Sequence, residues 1–84
     1  MPKVLPINSR LQKLLQKYSL QTKFEKQIKL LSENPGHPSL NLELLEPKIY
    51  GIYSIRINRK FRALLIFRKD KQVIEILNVT VHYR

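Results

Sequence analysis

Two arginines, a histidine and a tyrosine in the C-terminal half of the chain are the residues whose types suit a common chemistry. In the segment Ile52-Tyr-Ser-Ile-Arg-Ile-Asn-Arg-Lys-Phe-Arg-Ala-Leu-Leu-Ile-Phe-Arg68, Arg56 and Arg62 flank a basic turn at Asn58, Arg59 and Lys60, and His82 and Tyr83 follow further on. A guanidinium matches phosphate oxygens in a bidentate fork. Histidine is the side chain whose ordinary pKa suits proton transfer near neutrality. A tyrosine ring stacks on a base or hydrogen-bonds a phosphate. Together these groups fit cleavage of RNA by its own 2′-hydroxyl. That reaction needs a base for the 2′ proton, cations for the charge that builds around phosphorus, and an acid for the departing 5′ oxygen.

Composition removes the competing chemistries. There is no cysteine, so neither a disulfide nor a thiolate nucleophile or metal ligand is available. Acidic residues flanked by histidines at ligand spacing are missing, which argues against a metal-dependent nuclease, and no cofactor is expected. Gly36 and Gly51 are the only glycines, too few for a phosphate-cradling loop. His37, between Gly36 and Pro38, reads as a loop residue. The longest unbroken apolar run, Ala63 to Phe67, falls far short of the about 20 residues of a membrane span. With no signal peptide in Met-Pro-Lys-Val-Leu-Pro, the expected home is the cytoplasm.

Lysine and arginine number 16 against 6 acids, a formal charge of +10, and such self-repulsion destabilises a fold unless something negative binds. The charge is uneven. Residues 48–84 hold nine basic and two acidic residues, whereas residues 33–47 hold three glutamates and no lysine or arginine. The C-terminal half, with Arg59 and Lys60 in its turn, is the expected contact surface for nucleic acid.

The side chains meet only if the backbone brings them together. At 84 residues the chain is one domain, residues 1–84, because a chain this short buries only about 60–65% of its unfolded surface. Strand side chains alternate between faces, so Tyr53, Ile55 and Ile57 share one side and Ser54 and Arg56 the other. On the next strand Phe61, Ala63, Leu65 and Phe67 form an apolar row, with Arg62 opposite. A three-residue loop pairs Ile57 with Phe61 and sets Arg56 across from Arg62. Like charges opposed in this way cost up to roughly 1 kcal/mol, which a bound polyanion would relieve. Val73 to Val81 is a third strand after a turn at Lys69 to Gln72. A three-residue turn, or a bulge, aligns Arg62 with Asn78 and brings His82 to the arginine side; a two- or four-residue turn sends it to the other.

Upstream, Val4 to Ile7 is a short apolar run between Pro2 and Pro6, confined to an edge strand. Asn8 or Ser9 caps a helix whose Leu11, Leu14, Leu15 and Tyr18 fall on one stripe. Ser19 or Thr22 starts a second helix with Leu20, Phe24, Ile28 and Leu31 on its stripe and a solvated row of Lys23, Lys26 and Lys29. Asn34-Pro35-Gly36 ends it. Leu40, Leu42 and Leu44 alternate in an extended segment that returns apolar side chains to the core. Tyr50 and Tyr53 are expected to pack beside that core. The fold expected is α+β, an N-terminal helical hairpin on one face of a twisted, mainly antiparallel sheet of three to four strands, with polar residues on the uncovered face.

The order helix hairpin, Asn-Pro-Gly-His-Pro-Ser-Leu, the Tyr-x-Ile-Arg-Ile…Phe-Arg-Ala-Leu hairpin and a strand running into His82-Tyr83 resembles the RelE/ParE superfamily of bacterial type II toxins, and its ending the YoeB branch. The resemblance spans nearly the whole chain. It implies a toxin that cleaves mRNA on the ribosome, in the A site, and is held inactive by a cognate antitoxin protein. Arg62 sits where the family keeps an arginine against the scissile phosphate, and Arg56 where it has a basic residue on the preceding strand. His82 and Tyr83 match the C-terminal acid and its aromatic neighbour. Glu43 falls near the glutamate that serves as base in the YoeB branch, with Glu46 close behind. Ser54 departs from the pattern, standing where some members carry a lysine. Two other activities fit the same resemblance: a ParE-like toxin that inhibits DNA gyrase without cutting nucleic acid, and a basic RNA-binding domain without catalysis.

Overall fold

The computed structural model describes residues 2–68 and 72–81. In chain order it contains β1 (Lys3–Val4), α1 (Ser9–Lys17), α2 (Gln21–Glu33), β2 (Glu43–Leu44), β3 (Ile52–Arg56), β4 (Phe61–Arg68) and β5 (Val73–Val81), with 3₁₀ turns at Pro38–Leu40 and Lys48–Tyr50. Asn8 starts α1: its side-chain oxygen accepts the Leu11 amide at 2.9 Å, satisfying one of the donors that a helix start leaves unpaired. Leu11 and Leu15 are buried one turn apart, while Tyr18 is partly exposed and lies against the Phe61 ring, centroids 5.0 Å apart.

Ser19 does not cap the second helix. It adopts the left-handed conformation (φ 55°) and reverses the chain, so α2 begins at Gln21 with no side-chain cap. Phe24, Gln27 and Leu31 are the buried residues of α2, and Lys23, Lys26 and Lys29 stay exposed. Asn34 closes the helix as expected, its side-chain oxygen then accepting the Gly36 amide.

The sheet has five strands in the order β1-β5-β4-β3-β2, antiparallel except for the parallel β1–β5 pair. The strand beyond the expected three or four is β2, two residues of the segment read as an extended return to the core. Leu40 in that segment is fully buried and Leu42 packs on the core, but Leu44 at the sheet edge is exposed. β1 lies earlier than the expected Val4 to Ile7. The Leu5 amide still bonds the Ile74 carbonyl, and Pro6, without an N–H, gives the ladder no further donor.

The row Ile55, Ala63, Leu65 and Ile74 is fully buried in the core that α1 and α2 also line. The other face carries Ser54, Arg56, Arg62 and Thr80, but also the cross-strand pair Ile52 and Ile66, both half-buried. This face is therefore mixed rather than polar. Tyr53 packs edge-on against Phe67, whereas Tyr50, expected beside the core, is 68% exposed next to Ile49 at 87%.

At the β3–β4 turn Asn58 is the organiser. Its side-chain oxygen accepts the Lys60 and Phe61 amides, both at 2.8 Å, while the Ile57 amide donates to the Phe61 carbonyl. The loop holds Asn58, Arg59 and Lys60 as expected, and Arg56 pairs with Arg62. Between β4 and β5, Arg68 pairs with Val73, and an unbroken register would set Arg62 against Val79 with Thr80 turned to the helices. The ladder skips Leu77 instead: Leu65 pairs with Ile76 and Leu64 with Asn78. That bulge exchanges the faces of every later residue, burying Val79 in the core and placing Thr80 opposite Arg62.

Candidate active site

Arg62 is the one buried cation among the described residues, and its guanidinium is held at several points. Nε donates to Ser54 Oγ at 2.8 Å, and Nη2 donates to the Asn41 carbonyl at 2.6 Å and the Ser54 carbonyl at 3.2 Å. Nη2 also lies 3.2 Å from Glu43 Oε1, whose side chain is half exposed. Each contact traces to a local choice of backbone. Asn41 takes the left-handed conformation (φ 47°) that closes the 3₁₀ turn at Pro38–Leu40, one that asparagine tolerates better than most residues. Glu43 reaches the site because β2 pairs Glu43 with Ser54. Ser54 is next to Arg62 on the ladder, since β3 pairs it with Leu64 and sets its neighbour on the same face, Arg56, against Arg62.

Burial is the main influence on Arg62, lowering its pKa; Glu43 opposes this and Arg56 adds to it. Arginine stays protonated in proteins regardless, so the site holds a fixed positive charge. The relief of the opposed arginines thus begins within the chain, through Glu43, rather than with a polyanion alone. Among the described residues Nη1 has no hydrogen-bond partner, which leaves one edge of the guanidinium for a ligand.

Arg62 and Ser54 lie at the bottom of a cleft of about 280 Å³ on the open face of the sheet, with Glu43 and Leu45 on the β2 side and Leu64, Thr80 and Val81 on the β5 side. The cleft thus joins a fixed cation, a carboxylate and a hydroxyl, a set able to grip a phosphate and accept a proton. Among the described residues no three His, Cys, Asp or Glu side chains come together to hold a metal ion. None of the helices described is long and apolar enough to cross a membrane.

The remaining expected site residues divide. Glu46 does not reach Arg62; it lies 3.9 Å from Lys48, both side chains exposed. Arg56 pairs with Arg62 in register on the same face of the sheet, and it also lines, with Arg59, a different cleft beside α2. Lys60 reaches back over the Phe61 ring, 5.9 Å from its centroid. His82 and Tyr83 lie outside the described residues; Thr80, two positions before His82 in the chain, is on the Arg62 side. His37 is a loop residue whose Nδ1 accepts the Ser39 amide. Sequence reasoning missed Asn41, and it read Ser54 as the loss of a lysine. The available signal for Ser54 was its alternation with Arg56, which puts a small acceptor one step from Arg62.

This architecture is that of the bacterial YoeB/ParE toxins, the RelE-like fold. No protein-family model matches the chain, and no curated protein matches it in sequence. Solved structures do. A YoeB/ParE toxin from Agrobacterium tumefaciens superposes with a TM-score of 0.73 at 19% identity, covering 99% of this chain and 100% of that one. YoeB in the heterotetrameric YoeB–YefM toxin–antitoxin complex from Staphylococcus aureus gives a TM-score of 0.69 at 23% identity, covering 99% and 97%. The YoeB dimer from Staphylococcus aureus gives 0.66 at 24% identity, covering 96% and 94%.

Proposed function

We propose that this chain is the toxin of a type II toxin–antitoxin pair, a metal-independent endoribonuclease that cuts mRNA in the ribosomal A site through attack by the 2′-hydroxyl. The observation that carries the reading is Arg62, a buried arginine fixed by Ser54 and Asn41 in a cleft whose rim bears Glu43. A guanidinium so held is preorganised for charge that develops on phosphorus, the type of electrostatic stabilisation that contributes most to such barriers. In this mechanism Arg62 Nη1 binds a nonbridging oxygen of the scissile phosphate. Glu43 accepts the 2′ proton as the 2′ oxygen bonds phosphorus. His82 donates a proton to the 5′ oxygen as the P–O5′ bond breaks, giving a 2′,3′-cyclic phosphate and a 5′-hydroxyl. Arg56, Arg59 and Lys60 hold flanking phosphates and Tyr83 stacks on a base. The fold shared with toxins, one of them solved with the YefM antitoxin, supports a cognate antitoxin as the cytoplasmic partner.

Primer extension on a translated message after induction of the protein tests this directly. Discrete cuts at ribosome positions, absent from the Arg62→Ala variant, are expected. Growth arrest with an uncut message and gyrase-dependent DNA breaks would transfer the chain to the gyrase-inhibiting class.

A further inference from the structure

We propose that the cleft between α2 and the β3–β4 turn is a second site for the phosphate backbone of RNA, separate from the Arg62 cleft. Lys23 and Lys26 of α2 line a depression of about 370 Å³ together with Arg56 and Arg59 of the hairpin, and among the described residues no acidic residue lines it. All four cations are exposed. The lysine row, taken from sequence as a solvated helix face, is thus one wall of a basic groove.

The groove is held together from below. Gln27, 7% exposed, donates from Nε2 to the Arg56 carbonyl at 2.7 Å and to the Ser39 carbonyl at 3.1 Å. One buried amide so fixes α2, the loop before β2 and the end of β3 in a single spacing. Gathering four like charges costs the free protein stability that a polyanion returns. An acidic peptide would need apolar pockets for its anchoring side chains. Among the described residues the one apolar residue lining the groove, Ile57, is itself buried, so the surface offers cations and hydrogen-bond donors and little else. A phosphodiester backbone asks for nothing more. That the polyanion is RNA rests on the endoribonuclease reading above. Arg56, which lines the groove, is the cross-strand partner of Arg62, so the two clefts meet at one register position of the β3–β4 ladder.

The test uses the full chain and a short single-stranded RNA with 2′-O-methyl sugars, which it cannot cut, measured by fluorescence anisotropy over a series of salt concentrations. K23Q/K26Q should flatten the plot of log affinity against log salt by about 1.4, which at about 0.1 M salt is a roughly 25-fold loss. K13Q/K17Q, an equal loss of charge on α1, should leave slope and affinity near wild type. A K23Q/K26Q slope equal to wild type, with the fold verified by circular dichroism, overturns the proposal. So does an equal loss in K13Q/K17Q, or a K23Q/K26Q protein that loses poly-L-glutamate binding and keeps RNA. Failure of the two readings separates cleanly: wild type that shows these slopes but leaves a translated message uncut sinks the nuclease reading alone. Ribosome-position cuts with an unaltered K23Q/K26Q slope sink the groove alone.

Discussion

Ser54→Ala is the sharpest test of how Arg62 is held. The substitution deletes one oxygen at a position 2% exposed and leaves the Nε–H of Arg62, a residue 6% exposed, facing a methyl group. A hydrogen bond to a charged group contributes about 1.5–3 kcal/mol. Because the cleft beside Arg62 opens to water, the lower part of that range applies, a loss of about 1.5–2 kcal/mol. For a domain of this size each kcal/mol shifts Tm by about 4–8 °C, so the variant should melt roughly 6–16 °C lower. The decisive comparison is made in an Arg62→Met background. There the serine has no guanidinium to serve, and removing it should cost less than about 0.5 kcal/mol, leaving a coupling near 1–1.5 kcal/mol. Urea unfolding followed by circular dichroism, with the slope m held constant across the four proteins, measures each corner. Equal costs of Ser54→Ala in both backgrounds would show that the serine packs a strand and does not hold the arginine. The same release should also reach the chemistry, since misplacement of a catalytic group by about 1 Å can cost about 100-fold in rate.

Other perturbations separate structure from chemistry. Arg62→Ala should lower single-turnover cleavage by about 10²–10³-fold and relieve growth arrest on expression, and arrest at wild-type strength would count against the assigned cation. His82→Gln should slow cleavage of message by about 10²–10⁴-fold while ribosome binding is retained; parallel losses of both would make it a binding residue. Deleting Leu77 removes the residue the ladder skips, so Asn78 follows Ile76 directly in an unbroken register, and Val79 stays in the core with Thr80 opposite Arg62. The expected outcome is a cooperative melting curve of a protein with its core intact, and loss of cooperative unfolding would refute the parity argument.

The hairpin was legible because its information is local. Alternation fixed the faces of Tyr53, Ile55, Ala63 and Leu65, and Asn58 supplied the turn that sets Arg56 against Arg62. What sequence could not settle depended on long-range pairing. The bulge at Leu77 has no residue signature of its own; it follows from the helices demanding Val79 on their side while residues 69–72 separate the strands. β2 was missed because two residues carry no period, and its existence is what delivers Glu43, rather than Glu46, to Arg62. Asn41 acts through its backbone carbonyl, so side-chain type said little about it. Ser19 and Tyr50 failed for a different reason: each sits where the chain reverses, and left-handed or 3₁₀ geometry there overrides propensity.

The two clefts share a logic that bears on function. The first holds one fixed cation and the second several exposed ones, and each is set in place by a buried neutral polar side chain: Ser54 for Arg62, Gln27 for the spacing of α2 and the end of β3. A chain selected only for stability would place an acid in both, because a nearby carboxylate offsets the charge directly. Among the described residues only the first contains one, Glu43, and there it is half exposed and leaves Nη1 without a hydrogen-bond partner. The stem holding the charge is rigid while the charge itself is under-compensated. That combination stabilises the bound state of a polyanion relative to the free protein, since the reorganisation is already complete and the repulsion that Glu43 leaves uncompensated is relieved when phosphate arrives. It also explains why the acid lies at the cleft that would break a bond and not at the groove that would only hold the strand: proton transfer requires an acceptor beside the phosphate, whereas backbone binding requires none.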